Sequence, residues 1–507
     1  MKNQIELSSN ISTDPHHHIL QTLNSKCKSI GIVIEQGFGA RIFLQTRILE
    51  ILTESGLNPV ILTTGPQSIR KYLDNKGMQD IPVHELETEA YKELRNSFFY
   101  NLFKYIRLFA LNTRTSRDYL KIERKDAFAN NNINRKIFFI LISGMVQLAK
   151  LHPVFMHWII KLENTIFRTN SNYDFFKSHN PIALVTSSIG TFDHDAFILR
   201  EAKLHNIPTI SYVLSWDNTS VSGYGVNLSD KILSWSKVME DELINLHHIE
   251  KSIISTVGVP HYDAYQDTLW SKEELYSSMN IPLDKKLIFF GTKSPNTFKA
   301  NMDIASTITK WITEDPDLHD YVLVCRLHPI YFVNNRHKKG LHFDEDWESL
   351  QQQLTSNILT IDYPDIIDGD LNYFMTDTEI PKLGSILKHS DITINMFSTL
   401  NLEASIFDKP TINIAFDNSK AEVKGYKQNR FNIKVDEMQT HNQRVINSGA
   451  TEVVHSYSEL HTSILSALKN PSCKSKARKN LVKNECSDNI GKSSDIIATT
   501  IINFCES

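Results

Sequence analysis

The constraint that weighs most on this chain is a rhythm. A short run rich in isoleucine and valine is followed by a polar or glycine turn, then by a segment with apolar residues at helical spacing. SIGIVIEQ (Ser29–Gln36) is such a run and ends at Gly37-Phe38-Gly39. From about Arg41 to Ser55, Ile42, Leu49, Ile51 and Leu52 share one helical face. A turn at Gly56 leads to a second strand, NPVILTTG, and a weaker third in IPVHEL. Continuous apolar strands alternating with amphipathic helices predict a parallel sheet with helices on its faces. The rhythm resumes at PIALVTSS, with a helix over Asp195–His205, and continues through PTISYVLSW, KILSWS and SIISTVGVP. After the polar stretch SKEELYSSMNIPLD, a second series starts at KKLIFFGT. It runs through YVLVCRLHP, NILTIDYP, SDITINMF and KPTINIAFD to EVVHS. The expected fold is therefore α/β: two Rossmann-like, doubly wound domains over residues 29–265 and 280–470, with a cleft between them and closing helices over 471–507.

A chain of 507 residues suits two such domains. Between about residues 89 and 176 the rhythm breaks into long helical segments rich in Phe, Leu, Ile, Lys and Arg, read as an insertion in the first domain. Phe98, Phe99, Tyr100, Phe103, Tyr105, Arg107 and Phe109, then Lys136, Phe138 and Phe139, mix large apolar with basic side chains. Two readings stand: a helical subdomain with its own core, or a face that touches a membrane surface. The most apolar stretch, Ile137–Ala149, contains Ser143, Gly144 and Gln147 and falls short of the ~20 residues that span a bilayer. The opening residues lack the apolar core of a signal peptide, and His16-His17-His18 reads as unstructured tail. Lys plus Arg is 54 against 58 Asp plus Glu, a net charge of −4, which argues against bulk electrostatic attachment to nucleic acid. The five cysteines (Cys27, Cys325, Cys473, Cys486, Cys505) form no CxxC, so neither a disulfide framework nor a zinc knuckle is supported and a reduced, cytoplasmic setting is expected.

In open parallel sheets, ligands bind beyond the carboxyl ends of the strands. After SDITINM comes Phe397-Ser398-Thr399-Leu400-Asn401-Leu402-Glu403. Ser398 or Thr399 would cap the next helix, whose first turn favours an anion. Glu403 lies one turn on, displaced by roughly 6 Å at ~1.5 Å per residue, which suits phosphates at the tip and a ribose diol beside the helix. After YVLVC, Arg326 and His328 fall on one side of the strand end. They offer a donor fork for phosphate oxygens and a donor or acid for a departing phosphate. Lys293, in the loop after LIFFG, adds a candidate positive charge. In the first domain, Gly37 and Gly39 allow close approach of backbone to a ligand, although the sequence is not GxGxxG. Asp193, Asp195 and Asp217 are candidate general bases, with Glu35 a further carboxylate. Asp193-His194-Asp195 also admits a metal-binding reading, set against a plain helix cap; no metal is expected. No P-loop, HExxH or GxSxG is present.

The segments Ser390–Ile414 and Cys325–Pro329 resemble the GT-B superfamily of nucleotide-sugar glycosyltransferases, over nearly the whole chain. The Arg-x-His-Pro element looks like that of bacterial CDP-glycerol glycerophosphotransferases, and its His-Pro is similar to that of bacterial sialyl- and Kdo-transferases. SWDN (Ser215–Asn218) looks like a segment of bacterial surface-carbohydrate proteins. The resemblance implies a nucleotide donor held in the second domain by Ser398, Thr399 and Glu403, with its phosphates at Arg326 and His328. The expected activity is metal-independent transfer of a sugar to a surface glycan or lipid-linked acceptor in cell-envelope polysaccharide biosynthesis, at the inner face of the cytoplasmic membrane. Two departures stand out: EQGFGA lacks the histidine that serves as base in related enzymes, and no DDG-like acidic element is found. Rival expectations are a glycerophosphotransferase using a CDP-linked donor, a non-hydrolysing nucleotide-sugar epimerase, and a scaffold without activity.

Overall fold

The computed structural model describes residues 28–129, 132–295, 297–333, 341–354, 358–417 and 432–507. His16, His17, His18 and Cys27 lie outside the described residues, as do Asn296 and the side chain of Asp193. The isoleucine-valine runs form two sheets. The first contains β1 (Lys28–Ile34), β2 (Leu57–Thr63), β3 (Val83–Glu85), β4 (Ala183–Thr186), β5 (Thr209–Tyr212), β6 (Lys231–Ser234) and β7 (Ile254–Thr256), in the order β3-β2-β1-β4-β5-β6-β7. The second contains β8 (Lys286–Gly291), β9 (Tyr321–Arg326), β10 (Leu359–Asp362), β11 (Ile392–Asn395), β12 (Thr411–Ile414) and β13 (Glu452–Val454), in the order β10-β9-β8-β11-β12-β13. Neighbouring strands are parallel throughout. The order reverses between β1 and β4 and between β8 and β11. Those two crevices are where such sheets hold ligands.

The single helix expected after β1 is two, Gly37–Phe43 and Ile48–Glu54. At the break the Thr46 hydroxyl donates to the Ile42 carbonyl, while the Gln45 side chain reaches the Met375 carbonyl at 2.6 Å. Between β3 and β4 run the insertion helices Glu89–Arg95, Phe98–Ala110, Arg114–Ala129, Ile133–Leu151, Pro153–Ile166 and Tyr173–His179. Their inner faces share a core with the first sheet, where Tyr100, Ile106, Phe109 and Ile142 join Val33, Leu62 and Leu184. The closing helices, Ser475–Cys486 and Ser493–Glu506, return to the first sheet. Their Leu481, Cys486, Ile497 and Ile501 lie in one core with Ile32 and Ile61. Asp263 caps the last helix, accepting from the Ser493 and Ser494 amides at 3.1 and 2.7 Å. Cys325, Cys473, Cys486 and Cys505 are free thiols.

A segment after β10, residues 366–377, reaches from the second domain onto the first. Asp370 accepts from the Gln67 and Ser68 amides at 3.0 and 2.9 Å, so a carboxylate of one domain caps the helix Pro66–Asn75 of the other. Burial works against the Asp370 charge, but these bonds and the Ser68 hydroxyl outweigh it and lower its pKa. Tyr72 donates to Asp377 at 2.7 Å, and Phe38 stacks on Tyr373 with centroids 5.4 Å apart. The domains are thus already latched across the mouth of the cleft.

Candidate functional site

The second domain's part of the site is built at the ends of β8, β9 and β11. Three asparagines fasten the turn after β11. The Ser398 amide donates to Asn395 Oδ1 at 3.1 Å, the Phe397 amide to Asn413 Oδ1 at 3.0 Å, and Asn395 Nδ2 to Asn401 Oδ1 at 3.1 Å. Phe397 takes φ +53°, a left-handed conformation that bulky residues avoid. Such strain persists where surrounding bonds over-determine it. Thr399 is the N-cap position of the helix Leu400–Ile406 but makes no side-chain capping bond and lines the cleft, while Ser398 Oγ, one residue earlier, accepts from the Leu400 amide at 3.2 Å. Glu403, buried in that helix, accepts from the Tyr265 hydroxyl on one oxygen; the other carries no hydrogen bond among the described residues.

His328 sits at the end of β9. Its amide donates to Thr292 Oγ1 at 2.8 Å, and its Nδ1 accepts from the Ile330 amide at 3.1 Å. An acceptor Nδ1 leaves the proton on Nε2. Burial, then the charge of Lys293, pushes the His328 pKa down to about 4. At neutral pH the ring is an uncharged Nε2–H donor.

Arg326 departs from its expected role. Its guanidinium is buried between Asp362 and Glu379 and paired with both, while Lys382 pairs with the second oxygen of Asp362. Burial alone would lower the Arg326 pKa; the two carboxylates reverse that and raise it. The fork expected to grip phosphate instead ties β9 to β10 and to the helix Glu379–His389, because a buried guanidinium requires counter-charge. Lys293 is likewise matched, by Asp436 at 2.9 Å.

Arg41 has the opposite character. It extends from the helix after β1, contacts Met375 Sδ at 3.0 Å, lies over the Phe38 ring at 5.6 Å, and forms no ion pair among the described residues. Burial lowers its pKa, with Glu403 pulling it back up. Phe38, Arg41, Thr399 and Glu403 border both lobes of the cleft. The donor-side lobe, about 200 Å³, is lined further by Thr292, His328 and Ser398, and by Arg326, which borders it while paired with Asp362 and Glu379. The other lobe, about 340 Å³, belongs mostly to the first domain and presents Gln36, Phe192, Asp217, Trp235, His261 and Tyr262.

Of the candidate bases, Asp217 lines this larger lobe. Asp195 does not. It is buried, and burial followed by the adjacent Glu35 raises its pKa well above the usual carboxylate value. Glu35 in turn meets His194 Nδ1 at 3.1 Å, so the Asp-His-Asp segment turns toward a buried acid pair. Asp193 opens the helix Asp193–Leu204. The glycines also differ from expectation. A Cβ on Gly37 would lie 2.0 Å from the Tyr373 carbonyl oxygen, so its closeness serves the interdomain latch and not a ligand, and Gly39 has only ordinary neighbours.

Arg41, Trp235, His261 and Tyr262 escaped the reading of the sequence. The signal for His261 was the polar Pro-His-Tyr turn after SIISTVGV, a strand end like the others. Its Nδ1 is buried without a partner, and burial, then the Arg41 charge, lowers its pKa well below the usual value.

The architecture is GT-B. It is similar to S. aureus MnaA solved with UDP (TM-score 0.50, 12% identity, 94% of this chain and 97% of that one). It is also similar to a candidate UDP-N-acetylglucosamine 2-epimerase from Listeria monocytogenes (TM-score 0.51, 13% identity, 95% and 97%). At these identities the likeness is one of fold. In sequence, the chain is 23% identical over 192 residues to the teichoic acid glycerol-phosphate primase of Bacillus spizizenii, which is 37% of this chain and 40% of that protein's length. A family model described as CDP-Glycerol:Poly(glycerophosphate) glycerophosphotransferase matches residues 218–503, from the helix beside Asp217 through the second domain's side of the donor lobe to the last helix, with Phe38 and Arg41 outside the match. This chain belongs to that glycerophosphotransferase family.

Proposed function

We propose that this chain is a nucleotide-dependent transferase of cell-envelope polymer synthesis. The donor's phosphates lie between Thr399, His328 and Arg41, and its ribose lies beside Glu403. The acceptor hydroxyl enters from the larger lobe. The observation that carries this reading is Arg41, an arginine with no paired carboxylate among the described residues, at the junction of two lobes drawn from different domains. With a CDP-linked glycerol phosphate, the acceptor oxygen attacks the distal phosphorus and CMP leaves. Asp217 takes the acceptor proton, while Arg41 and the His328 Nε2–H stabilise charge on the phosphates. The family name and the Arg326–Pro329 element favour this donor. A nucleotide sugar is the second reading, favoured by a lobe of about 340 Å³ walled by Phe192, Trp235 and Tyr262, aromatic faces of the kind a sugar ring packs against. There the attack falls on the anomeric carbon and a nucleoside diphosphate leaves.

Because the Arg41 guanidinium and the neutral His328 Nε2–H meet the charge on the phosphates, this reading needs no metal. The enzyme works at the inner face of the cytoplasmic membrane on a glycan or lipid-linked acceptor.

A thermal-shift titration tests the donor site, since a ligand bound only by the folded state raises the melting temperature. CDP should stabilise the wild type. Glu403→Gln should weaken CDP binding by about tenfold, the order expected for one charge-assisted hydrogen bond, and should lose the preference for CDP over its 2′,3′-dideoxy analogue. Equal binding of both nucleotides by the wild type would remove Glu403 from the ribose site.

A further inference from the structure

The turn that carries Asp217 abuts a helix of the second domain, Thr440–Asn447, that lines neither lobe of the cleft. Asp217 opens the short helix Asn218–Val221, makes no capping bond with its side chain, and takes a long contact, 3.4 Å, from Asn218 Nδ2. The start of Thr440–Asn447 is pinned from two sides. The Thr440 amide donates to Thr115 Oγ1 at 2.8 Å and Gln439 Nε2 to the Tyr119 hydroxyl at 2.7 Å, both partners lying on the insertion helix Arg114–Ala129. Asn442 Nδ2 donates to the carbonyl of Asp436, the carboxylate that holds Lys293.

Three positions apart, His441 and Arg444 share a face of that helix. Both lie within electrostatic reach of Asp217. Arg444 is fully engaged: it pairs with Glu242 at 2.5 Å and Glu485 at 2.8 Å, and Glu242 accepts from the Thr219 hydroxyl at 2.5 Å. Those bonds lock the helix to the turn that holds Asp217. His441 has no such engagement. It is 5% exposed and stands edge-on to Trp216 with ring centroids 4.7 Å apart, and its Nδ1 has no hydrogen-bond partner among the described residues. Buried polar atoms are nearly always paired, so an orphan behind a site calls for a reason. Burial pushes the His441 pKa down to about 4, with Asp217 pulling against it and Arg444 and Lys293 adding to it. At neutral pH the ring is therefore uncharged, with one N–H to donate. Ring and carboxylate share no hydrogen bond in this structure, and catalytic hydrogen bonds often tighten only when substrate is in place.

We propose that His441 is a positioning residue for the general base: with the acceptor bound, its orphan Nδ1–H donates a hydrogen bond to the Asp217 carboxylate and aims it at the acceptor hydroxyl in the larger lobe. The proton leaving the acceptor goes to the Asp217 oxygen that His441 does not hold, and the ring keeps its own. The base is thus assembled from two domains, the carboxylate from the first and its orienting donor from the second. This role rests on Asp217 being the base, as proposed above.

A double-mutant cycle on the full chain tests it, because a residue that acts through another loses its effect once the other is gone. The kinetics use whichever donor the wild type turns over, CDP-glycerol or a UDP-linked sugar, with a polymer acceptor. Asp217→Asn should lower kcat by about a hundredfold or more. His441→Ala should lower kcat by about tenfold to a hundredfold and leave the donor KM and the stabilisation by CDP unchanged. His441→Asn, which keeps an N–H donor, should recover part of the loss. In the Asp217→Asn background, His441→Ala should cost less than about twofold. Where the alanine lowers the melting temperature, His441→Phe, which fills the space without an N–H, replaces it in the cycle. The same loss in both backgrounds, or a loss that falls on the donor KM, would overturn the positioning role. Wild-type kcat in His441→Ala beside an inactive Asp217→Asn would overturn it while leaving the base in place. Wild-type kcat in Asp217→Asn, or a wild type that turns over neither donor, would overturn the base assignment and this role together.

Discussion

Arg41→Ala should lower turnover by about a hundredfold to a thousandfold while leaving the melting temperature within a few degrees of wild type. The magnitude is that of removing one preorganised donor from a site where negative charge develops. The direction follows from the charge inventory of the cleft. Arg326 is spent on Asp362 and Glu379, and Lys293 on Asp436. Among the described residues Arg41 touches the Met375 sulfur and the Phe38 ring face but pairs with no carboxylate, and burial, which lowers its pKa against the pull of Glu403, makes its charge costly until an anion arrives. The loss should fall on kcat more than on KM, because the charge on the leaving phosphate is greatest in the transition state. Arg41→Lys should recover part of it, keeping a cation but losing the planar fork. Steady-state kinetics with a melting curve for each variant makes the comparison. An Arg41→Ala enzyme of wild-type kcat would show that the cation serves only the contact with Met375. By contrast, Arg326→Ala should chiefly lose stability, since it leaves Glu379 buried without its counter-charge and Asp362 with Lys382 alone.

The second large effect is expected at His328. Its Nδ1 is held by the Ile330 amide and its pKa lies at about 4, so between pH 5.5 and 8 the imidazole is a neutral donor. His328→Ala should cost about a hundredfold in kcat. His328→Gln, whose amide also presents an N–H, should regain a measurable part. The pH profile carries the sharper distinction. For a group whose pKa is depressed, the neutral form persists as pH falls and protonation sets in only near the lowered value. The free enzyme's kcat/KM should therefore show no inflection from His328 near pH 6.5, and His328→Gln should not change the profile's shape in that range. An inflection near 6.5 that disappears in His328→Gln would mean that the ring is a titrating acid and not a fixed donor.

How much of this was legible beforehand differs from residue to residue. The strands were readable because their apolar runs are continuous and bounded by turns. The Ser398–Glu403 unit was readable because cap, helix and carboxylate lie within six residues of one another. Arg326 was placed at the right strand end but given the wrong company. Its partners Asp362 and Glu379 stand 36 and 53 residues away, and spacing carries no information at that range. Arg41 looked like the first residue of an amphipathic helix. Its importance depends on Met375, 334 residues later, and on a latch that crosses between domains. Gly37 is a similar case: its need for a small side chain was visible, but not that Tyr373 would be its neighbour. In the insertion, periodicity separates a buried face from a solvated one only when the faces differ. Ile133–Leu151 is apolar on both, so its inner packing and its bare outer side were indistinguishable until both were placed.

The most direct test of the account is the identity of the nucleotide released when the full chain meets radiolabelled CDP-glycerol, and separately a UDP-linked sugar, with and without a polymer acceptor. The account predicts release that requires the acceptor, moves the label onto it and collapses in Arg41→Ala; CMP as the product would assign glycerol phosphate transfer, and UDP sugar transfer. Rearrangement or release that proceeds equally without acceptor, or undiminished in Arg41→Ala, would contradict it.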